Sequence, residues 1–259
     1  MHAIWSGAIS FGLVNIPIKL YSGTQSHTLD FDLLRRKDLC PIRFARVCKA
    51  DGKEVPWEDI VRGYEYSDGD YVVLEKEDFE KANVEKTHTI EITSFVHEEE
   101  IDSIYYDKPY YLEPQKSGLK AYALLREALK ETGMVGIGSF VMRNREHIAV
   151  IKPYENLIIL NQLRYADEIR EQRELKLPKE KITEQELKMA EKLIKQLTTK
   201  FDPKKYEDTY INDLKKIIEA KAEGKELKRP RAIPEEKGKV TDIMSLLKKS
   251  LQEKKKKAA

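Results

Sequence analysis

The chain has 259 residues, enough for one large domain or for a domain with appendages. Charged residues make up 36% of it and apolar residues 41%, so a core can form in only part of the chain. The net charge of +2 is uneven, because residues 225–259 carry 12 Lys and Arg against 5 Asp and Glu and residues 1–224 carry 35 against 40. A basic end on a mildly acidic body indicates an acidic partner such as nucleic acid.

The cysteine content and the apolar runs exclude two classes of protein. Cys40 and Cys48 are too few for a disulfide scaffold and are typical of a reducing compartment. Every apolar run falls far short of ~18 residues, and the N-terminus lacks the basic region of a signal peptide. We therefore expect a cytoplasmic protein without a membrane span.

Residues 3–20 predict a β-strand, because Trp5, Ile9 and Phe11 alternate with small residues. The apolar positions change parity after Asn15. A bulge or bend at residues 15–17 would explain the change, since Pro17 fits such a site.

A basic stretch follows at residues 29–70. Its apolar and basic residues alternate, which predicts a pair of strands with one basic face and a reversal at Asp51-Gly52. An extended basic arm and an ordinary solvated hairpin fit this pattern equally well. Seven basic residues fall within nineteen positions: Arg35, Arg36, Lys37, Arg43, Arg46, Lys49 and Lys53.

The middle of the chain predicts many short strands. Residues 71–74 form one strand, a helix runs through residues 77–81, and β-branched and aromatic residues mark further strands at 88–96, 104–112, 137–143, 147–152 and 157–163. Residues 144–146 suit a tight turn. One helix interrupts the series, with Ser117 as its cap and Gly133 at its end. Such a series is typical of a barrel or a curled sheet.

After about Asp167 the sequence becomes helical and charged. Thr183 and Glu186 predict a capping box, and narrow apolar stripes at Leu187–Leu197 and Ile211–Ile218 should dock on the body or on a second copy of the chain. Residues 225–239 read as a linker. A last amphipathic segment has apolar residues at helical spacing, and a lysine run ends the chain.

No motif of a catalytic site occurs in the sequence. Glu98, Glu99, Glu100 and Asp102 could bind a divalent metal, but a solvated loop explains them as well. Cys40 and Cys48 supply half of a zinc site, and no second Cys or His pair lies nearby. We therefore predict no catalytic residue, no bound metal and no cofactor.

Several segments, in order along nearly the whole chain, resemble the prokaryotic Ku family. They are AIWSGAISFGLVNIP at 3–17, RFARVC at 43–48, VPWEDIVRGYEY at 55–66, PYYLEP at 109–114 and VTDIMSLLKKSL at 240–251. The resemblance implies an α+β fold in which a β-barrel core carries an inserted extended bridge arm and a C-terminal helical arm. Two copies would form a homodimeric ring around a DNA end.

The resemblance also implies a function and a set of partners. The chain would bind double-stranded DNA ends without sequence preference in non-homologous end joining, and would recruit and stimulate an ATP-dependent DNA ligase of the ligase D type. It would not be an enzyme, and it would associate with the nucleoid. We expect a barrel core at 1–166, with the bridge arm at about 25–70, a helical arm at 167–224 and a flexible basic tail at 225–259.

Two sets of binding residues follow from this assignment. DNA would be bound by the seven basic residues of the bridge arm together with Lys254, Lys255, Lys256 and Lys257. The ligase would be bound by the apolar positions of the last amphipathic segment, Val240, Ile243, Leu247 and Leu251. A purely solubilising tail is the alternative for the C-terminus. A metal-dependent nuclease that uses the carboxylates at 98–102 is the alternative for the whole protein.

Overall fold

The computed structural model describes residues 1–82, 88–172, 175–176 and 181–224, together with residues 244, 246, 247 and 250. The chain forms two units, Met1–Gln172 and Arg173–Ala259. The strands are β1 (Trp5–Phe11), β2 (Val14–Ser22), β3 (Arg62–Ser67), β4 (Asp70–Leu74), β5 (Thr89–His97), β6 (Tyr106–Pro114), β7 (Met134–Met142), β8 (Arg145–Tyr154) and β9 (Leu157–Leu163). The helices are α1 (Lys76–Ala82), α2 (Leu119–Thr132), α3 (Glu184–Leu197) and α4 (Thr209–Ala222).

Seven strands of the first unit close into a barrel in the order β1-β2-β6-β9-β8-β7-β5. All neighbours are antiparallel except β1 and β5, which pair in parallel through Ala8–Ser10 and Thr89–Glu91 and thereby close the barrel. Closure removes the unpaired edges that an open sheet would expose. The predicted barrel is confirmed.

Alternation of apolar residues along the strands fills the barrel interior. The largest side chains with less than 2% of their surface exposed come from all seven strands of the barrel, which explains why the β-branched pattern predicted them. They are Phe140, Ile9, Ile16, Ile18, Leu20, Ile90, Leu112, Ile151, Ile158, Leu160 and Val150.

The first strand predicted from the sequence is two strands. A turn at Gly12-Leu13, with Gly12 at φ 58°, separates β1 from β2, so the expected bend at residues 15–17 is wrong. The register pairs Ile9 with Ile16 and Trp5 with Leu20. Because directly opposed residues lie on the same face of a sheet, the hairpin itself produces the change in apolar parity.

A second hairpin turn lies one residue earlier than expected. β7 and β8 pair Met142 with Arg145, so the loop is Arg143-Asn144 and not residues 144–146. Both loop residues have positive φ, 53° and 64°, which is the geometry of a type I′ turn.

Helix α2 packs against the barrel wall through Tyr122, Leu125 and Leu129, which are all buried. The predicted cap is wrong, because Ser117 lies in a 3₁₀ turn and Gly118 is the N-cap without a side-chain hydrogen bond. A side chain at Gly118 would meet Pro17 at 2.9 Å, so glycine lets the helix start close to the barrel. Gly133 ends the helix at φ 67°, as predicted.

The second unit contains α3 and α4. Thr183 and Glu186 form the predicted capping box, in which Thr183 Oγ1 accepts from the Glu186 N–H at 3.3 Å and Glu186 Oε2 accepts from the Thr183 N–H at 2.8 Å. Asp208 caps α4 by accepting from the Ile211 N–H at 3.0 Å. Parts of both predicted stripes are exposed, with 64% of Ile194 and 42% of Ile218 accessible. Within the described ranges, no helix has both the length and the apolar character needed to cross a bilayer.

Candidate nucleic-acid interface

The bridge arm, which the sequence predicts at about residues 25–70, begins after β2 and ends at the start of β4. Leu29 and Val55 are its only half-buried residues, and all others are exposed. β3 and β4 form a separate two-stranded sheet at its end, and α1 follows, close to its predicted position. The bridge arm therefore buries almost no surface of its own, and its backbone is shaped by local hydrogen bonds.

Two chain reversals shape the part of the bridge arm before β3. In the first, the N–H of Arg35 donates to Cys40 at 2.9 Å and the N–H of Ile42 donates to Leu33 at 2.8 Å. In the second, the N–H of Cys48 donates to Lys53 at 2.8 Å, and Gly52 has φ 71°. The predicted reversal at residues 51–52 is confirmed.

The predicted pair of strands around that reversal is wrong. Only isolated bridges form, one at Leu34 and Pro41 and one at Val47 and Glu54. A ladder needs side chains that pack across neighbouring strands, and the exposed residues here supply little such packing.

The seven predicted cations are all exposed and are spread over the two reversals. Arg35 is held by Asp38, since its Nε donates to Oδ1 at 2.9 Å and its Nη2 to Oδ2 at 2.5 Å. This contact lowers the pKa of Asp38 and raises that of Arg35. Lys53 lies 3.4 Å from Asp51, and the N–H of Lys53, more than its side chain, lowers the pKa of Asp51.

The other five cations have no carboxylate beside them in the described part of the chain, so their charge is available to a binding partner. Arg46 stacks over the ring of Trp57 at 4.6 Å, which fixes the guanidinium without neutralising it. In the described part of the chain, Arg36, Lys37, Arg43 and Lys49 have no carboxylate within ion-pair distance. The arrangement presents exposed positive charge along a projecting segment, which suits the phosphates of a nucleic acid.

Comparison with known proteins decides the family. A family model described as "Ku70/Ku80 beta-barrel domain" matches residues 10–189. The chain belongs to the Ku family. It is 44% identical to the "Non-homologous end joining protein Ku" of Coxiella burnetii, over 98% of this chain and 95% of that one.

Further relatives carry the same name. The protein of Archaeoglobus fulgidus is 42% identical over 97% of this chain and 99% of its own length. The protein of Bacillus subtilis is 41% identical over 97% of this chain and 82% of its own length. The similarity therefore spans the barrel, the bridge arm and the second unit of this Ku-family chain.

The bridge arm of this Ku-family chain also exposes apolar and aromatic side chains between its charges. The β3–β4 sheet alone leaves Tyr64, Tyr66 and Tyr71 more than 60% exposed. Exposed apolar residues that form a contiguous patch are typical of a binding site for another macromolecule. The aromatic residues stand in the sequence in GYEY and DYVV, but residue types alone do not show that these two strands are exposed.

The carboxylates at 98–102 have structural contacts. Glu100 Oε1 accepts from the His97 N–H at 2.9 Å, and Asp102 Oδ1 accepts from the Ile104 N–H at 3.0 Å. Glu98 forms an ion pair with Lys152. Among the residues that the structure describes, no group of three or more His, Cys, Asp or Glu side chains could hold a metal ion. Cys40 and Cys48 are exposed free thiols.

Most of the predicted residues of the tail lie outside the described residues. These are Val240, Ile243, Leu251, Lys254, Lys255, Lys256 and Lys257. Leu247 is described, and it is helical and half buried.

Proposed function

We propose that this Ku-family chain binds double-stranded DNA ends, without sequence preference, in non-homologous end joining. The observation that carries the proposal is the exposed basic bridge arm on a chain similar over nearly its whole length to proteins named for end joining. Lys and Arg side chains would pair with phosphates, which lie along a duplex at about one charge per 1.7 Å. Such contacts position a protein on DNA and do not read its bases.

The DNA-bound form in this proposal is a homodimeric ring. The bridge arm is inserted in a barrel and exposes both charge and apolar surface, so a second copy can cover the apolar part while the basic part faces DNA. Two equal halves related by a twofold axis make an isologous contact, in which the same patch is used by both copies. A closed ring loads only where the duplex stops, which gives end specificity without base contacts.

The proposal also includes an ATP-dependent ligase of the ligase D type as partner. Its support is the apolar spacing of Val240, Ile243, Leu247 and Leu251 next to a basic run, a pattern suited to a helix that lies in a groove. Lys254, Lys255, Lys256 and Lys257 would hold DNA electrostatically. Family membership supports a non-enzymatic DNA-binding role, and no observation favours the nuclease alternative.

A gel shift with linear and covalently closed duplex of the same sequence, at several salt concentrations, tests this function. We expect linear DNA to bind with a steep loss of affinity as salt rises, and closed DNA to bind much more weakly. Equal binding to both forms would contradict end loading. In parallel, Mg²⁺ or Mn²⁺ should leave both forms uncut, whereas cutting that disappears in Glu98→Gln/Glu100→Gln would favour the nuclease.

The ligase contact needs its own test. Ile243→Asp with Leu247→Asp should abolish stimulation of the ligase and spare DNA binding, because the substitution removes the apolar face and keeps the lysines. Truncation after Glu253 should weaken DNA binding at low salt and spare stimulation of the ligase, because it removes the lysines and keeps the apolar face. If both variants behave like the parent in both assays, the tail has neither role.

A further inference from the structure

A second cluster of charged residues lies at one end of the barrel, in a cleft of about 760 Å³ that we name the mouth cleft. Its walls come from the ends of β6, β7, β8 and β9, which barrel closure brings together. Four cations and two carboxylates line it, and they are Lys108, Arg143, Arg145, Arg164, Asp107 and Glu168. The lining therefore has two more positive than negative groups.

Ion pairs use two of the four cations. Arg145 Nη2 donates to Glu168 Oε1 at 2.8 Å, and Arg164 Nη2 donates to Asp107 Oδ1 at 2.8 Å. The Tyr165 N–H, and after it Arg145, lower the pKa of Glu168, so this carboxylate stays ionised. Lys108 and Arg143 have no such partner within the described ranges, and the excess charge of the cleft belongs to them.

The uncharged groups of the cleft add hydrogen-bonding capacity. Burial, and after it Asp107, raise the pKa of Tyr110, whose hydroxyl donates to Gln162 Oε1 at 3.5 Å. Burial and Arg145 lower the pKa of His147, so its imidazole is neutral there. The ligand that fits the two unpaired cations of the cleft is an oxyanion.

The mouth cleft lies at the base of the bridge arm. Ser22 and Thr24, where the bridge arm leaves the barrel, line it. Arg143 also lines a neighbouring cleft with Trp57 and Arg62, near the other end of the bridge arm. Arg143 therefore connects the mouth cleft to the part of the bridge arm around Trp57 and Arg62.

We propose that the mouth cleft binds a phosphate group of a nucleic acid strand, with Lys108 and Arg143 as the residues that neutralise its charge. The inference rests on the proposed DNA binding and adds a site on the barrel to it. A volume of this size accepts a group as large as a nucleotide and excludes a whole duplex. The phosphate is therefore a terminal one or a single internal phosphodiester of one strand.

Equilibrium binding of the full-length protein to two short linear duplexes tests the site. The duplexes share one sequence and carry either a 5′-phosphate or a 5′-hydroxyl at both ends. The variant is Lys108→Gln/Arg143→Gln, and the matched control is Lys19→Gln/Lys116→Gln, which removes two exposed barrel lysines outside the cleft. Arg143→Lys is a second control, which keeps the positive charge at that position of the turn. Thermal unfolding checks that each variant is folded.

We expect the cleft variant to lose about tenfold in affinity per charged contact, and the slope of log K against log salt to fall by about 0.9 per contact. The control and Arg143→Lys should bind like the parent. A parental preference for the 5′-phosphate that the variant abolishes identifies a terminal phosphate. Equal losses on both duplexes identify an internal one.

Two results would overturn the inference, and they are distinguishable. If the parent binds both duplexes and the cleft variant binds with the same affinity and salt slope, the cleft holds no phosphate while the proposed function stands. If the parent binds neither duplex, the proposed function and the cleft fail together.

Discussion

Individual cations of the bridge arm differ in how much charge they can offer to DNA. Asp38 accepts two hydrogen bonds from Arg35, whereas Arg36 and Arg43 have no carboxylate partner among the described residues. When a cation that is already paired with a carboxylate binds a phosphate, it loses the carboxylate contact as it gains the phosphate contact. Arg35 should therefore contribute less to DNA affinity than Arg36 and Arg43 do.

Charge reversal tests this ranking. Arg36→Glu and Arg43→Glu should weaken binding to every sequence alike and reduce the slope of log K against log salt by about 0.9 for each lost contact. Arg35→Glu should have a smaller effect, and Lys130→Glu, an exposed residue on α2, should have none. Fluorescence anisotropy over a salt series measures the slopes. Unchanged slopes in Arg36→Glu and Arg43→Glu would place the DNA on another surface.

The Tyr122 hydroxyl joins helix α2 to two strands of the barrel. Tyr122 on α2 donates through its hydroxyl to the Leu112 carbonyl at 2.6 Å and accepts from the Ile158 N–H at 2.6 Å, so it links β6 and β9. The residue is 5% exposed, and water cannot easily replace the hydroxyl there. A buried backbone group that loses its partner costs free energy.

Tyr122→Phe should therefore lower the free energy of unfolding by about 2 kcal/mol. Equilibrium urea denaturation measures the change. Tyr154→Phe, at a position that is 47% exposed, is the matched control and should have almost no effect. A Tyr122→Phe protein as stable as the parent would mean that these hydrogen bonds are replaced on substitution.

At the scale of elements, the seam between β5 and β7 depends on glycine. A side chain at Gly138 would clash with the backbone of Glu91, which cannot move without breaking the ladder. A side chain at Gly136, two residues away, would lie 3.2 Å from flexible methyl groups of Ile92. The two positions share a strand but differ in what surrounds them.

Gly138→Ala should thus destabilise the barrel by about 3 kcal/mol, and Gly136→Ala by less than about 1 kcal/mol. Thermal unfolding of the two variants in parallel gives the comparison. Equal stability of the two variants would show that β5 can shift to accommodate the added methyl group.

The elements that the sequence predicted well are those with a strong local signal in their residue types. β8 and β9 were found from their β-branched residues, and α3 from its capping box. The β1–β2 turn was missed because FGLV lacks the usual Asn-Gly signal, so the parity change was assigned to Pro17. β3 was missed because RGYEYS has no buried face, and exposure is what periodicity cannot detect.

The site was predictable only in part for the same reason. The seven cations of the bridge arm can be located from the sequence, because Lys and Arg are charged in any fold. The ion pair of Arg35 with Asp38 and the grouping of Lys108 with Arg143 depend on turns and on barrel closure. Arg35 and Asp38 are three residues apart, and their contact depends on the local turn that brings them together. Lys108 and Arg143 are far apart in the chain, and no local pattern places them in one cleft.

At the scale of the whole molecule, a single copy leaves a large apolar surface uncovered. The β3–β4 sheet pairs Tyr64 with Val72, and both are exposed. Leu187 and Ile194 on α3 are exposed as well. Exposed apolar area of this kind favours association of two copies.

We expect sedimentation at low micromolar concentration to show a dimer in the absence of DNA. Tyr64→Thr/Val72→Thr should shift it towards the monomer, because threonine keeps the strand and removes the apolar contact. Leu187→Gln/Ile194→Gln should do the same if α3 docks on the second copy, as its stripe predicts. A parent that sediments as a monomer would refute the homodimer.

The parallel closure of β1 on β5 has a consequence for the continuity of the chain. The β1–β2 hairpin is hydrogen-bonded to β6 on one side and to β5 on the other, while the bridge arm joins the hairpin to the rest of the barrel. A protease that nicks the bridge arm would therefore leave both fragments in place. Two polypeptides divided near residue 30 should complement each other as a split protein, with Ile9, Ile16 and Leu20 of the short piece completing the core of the long one.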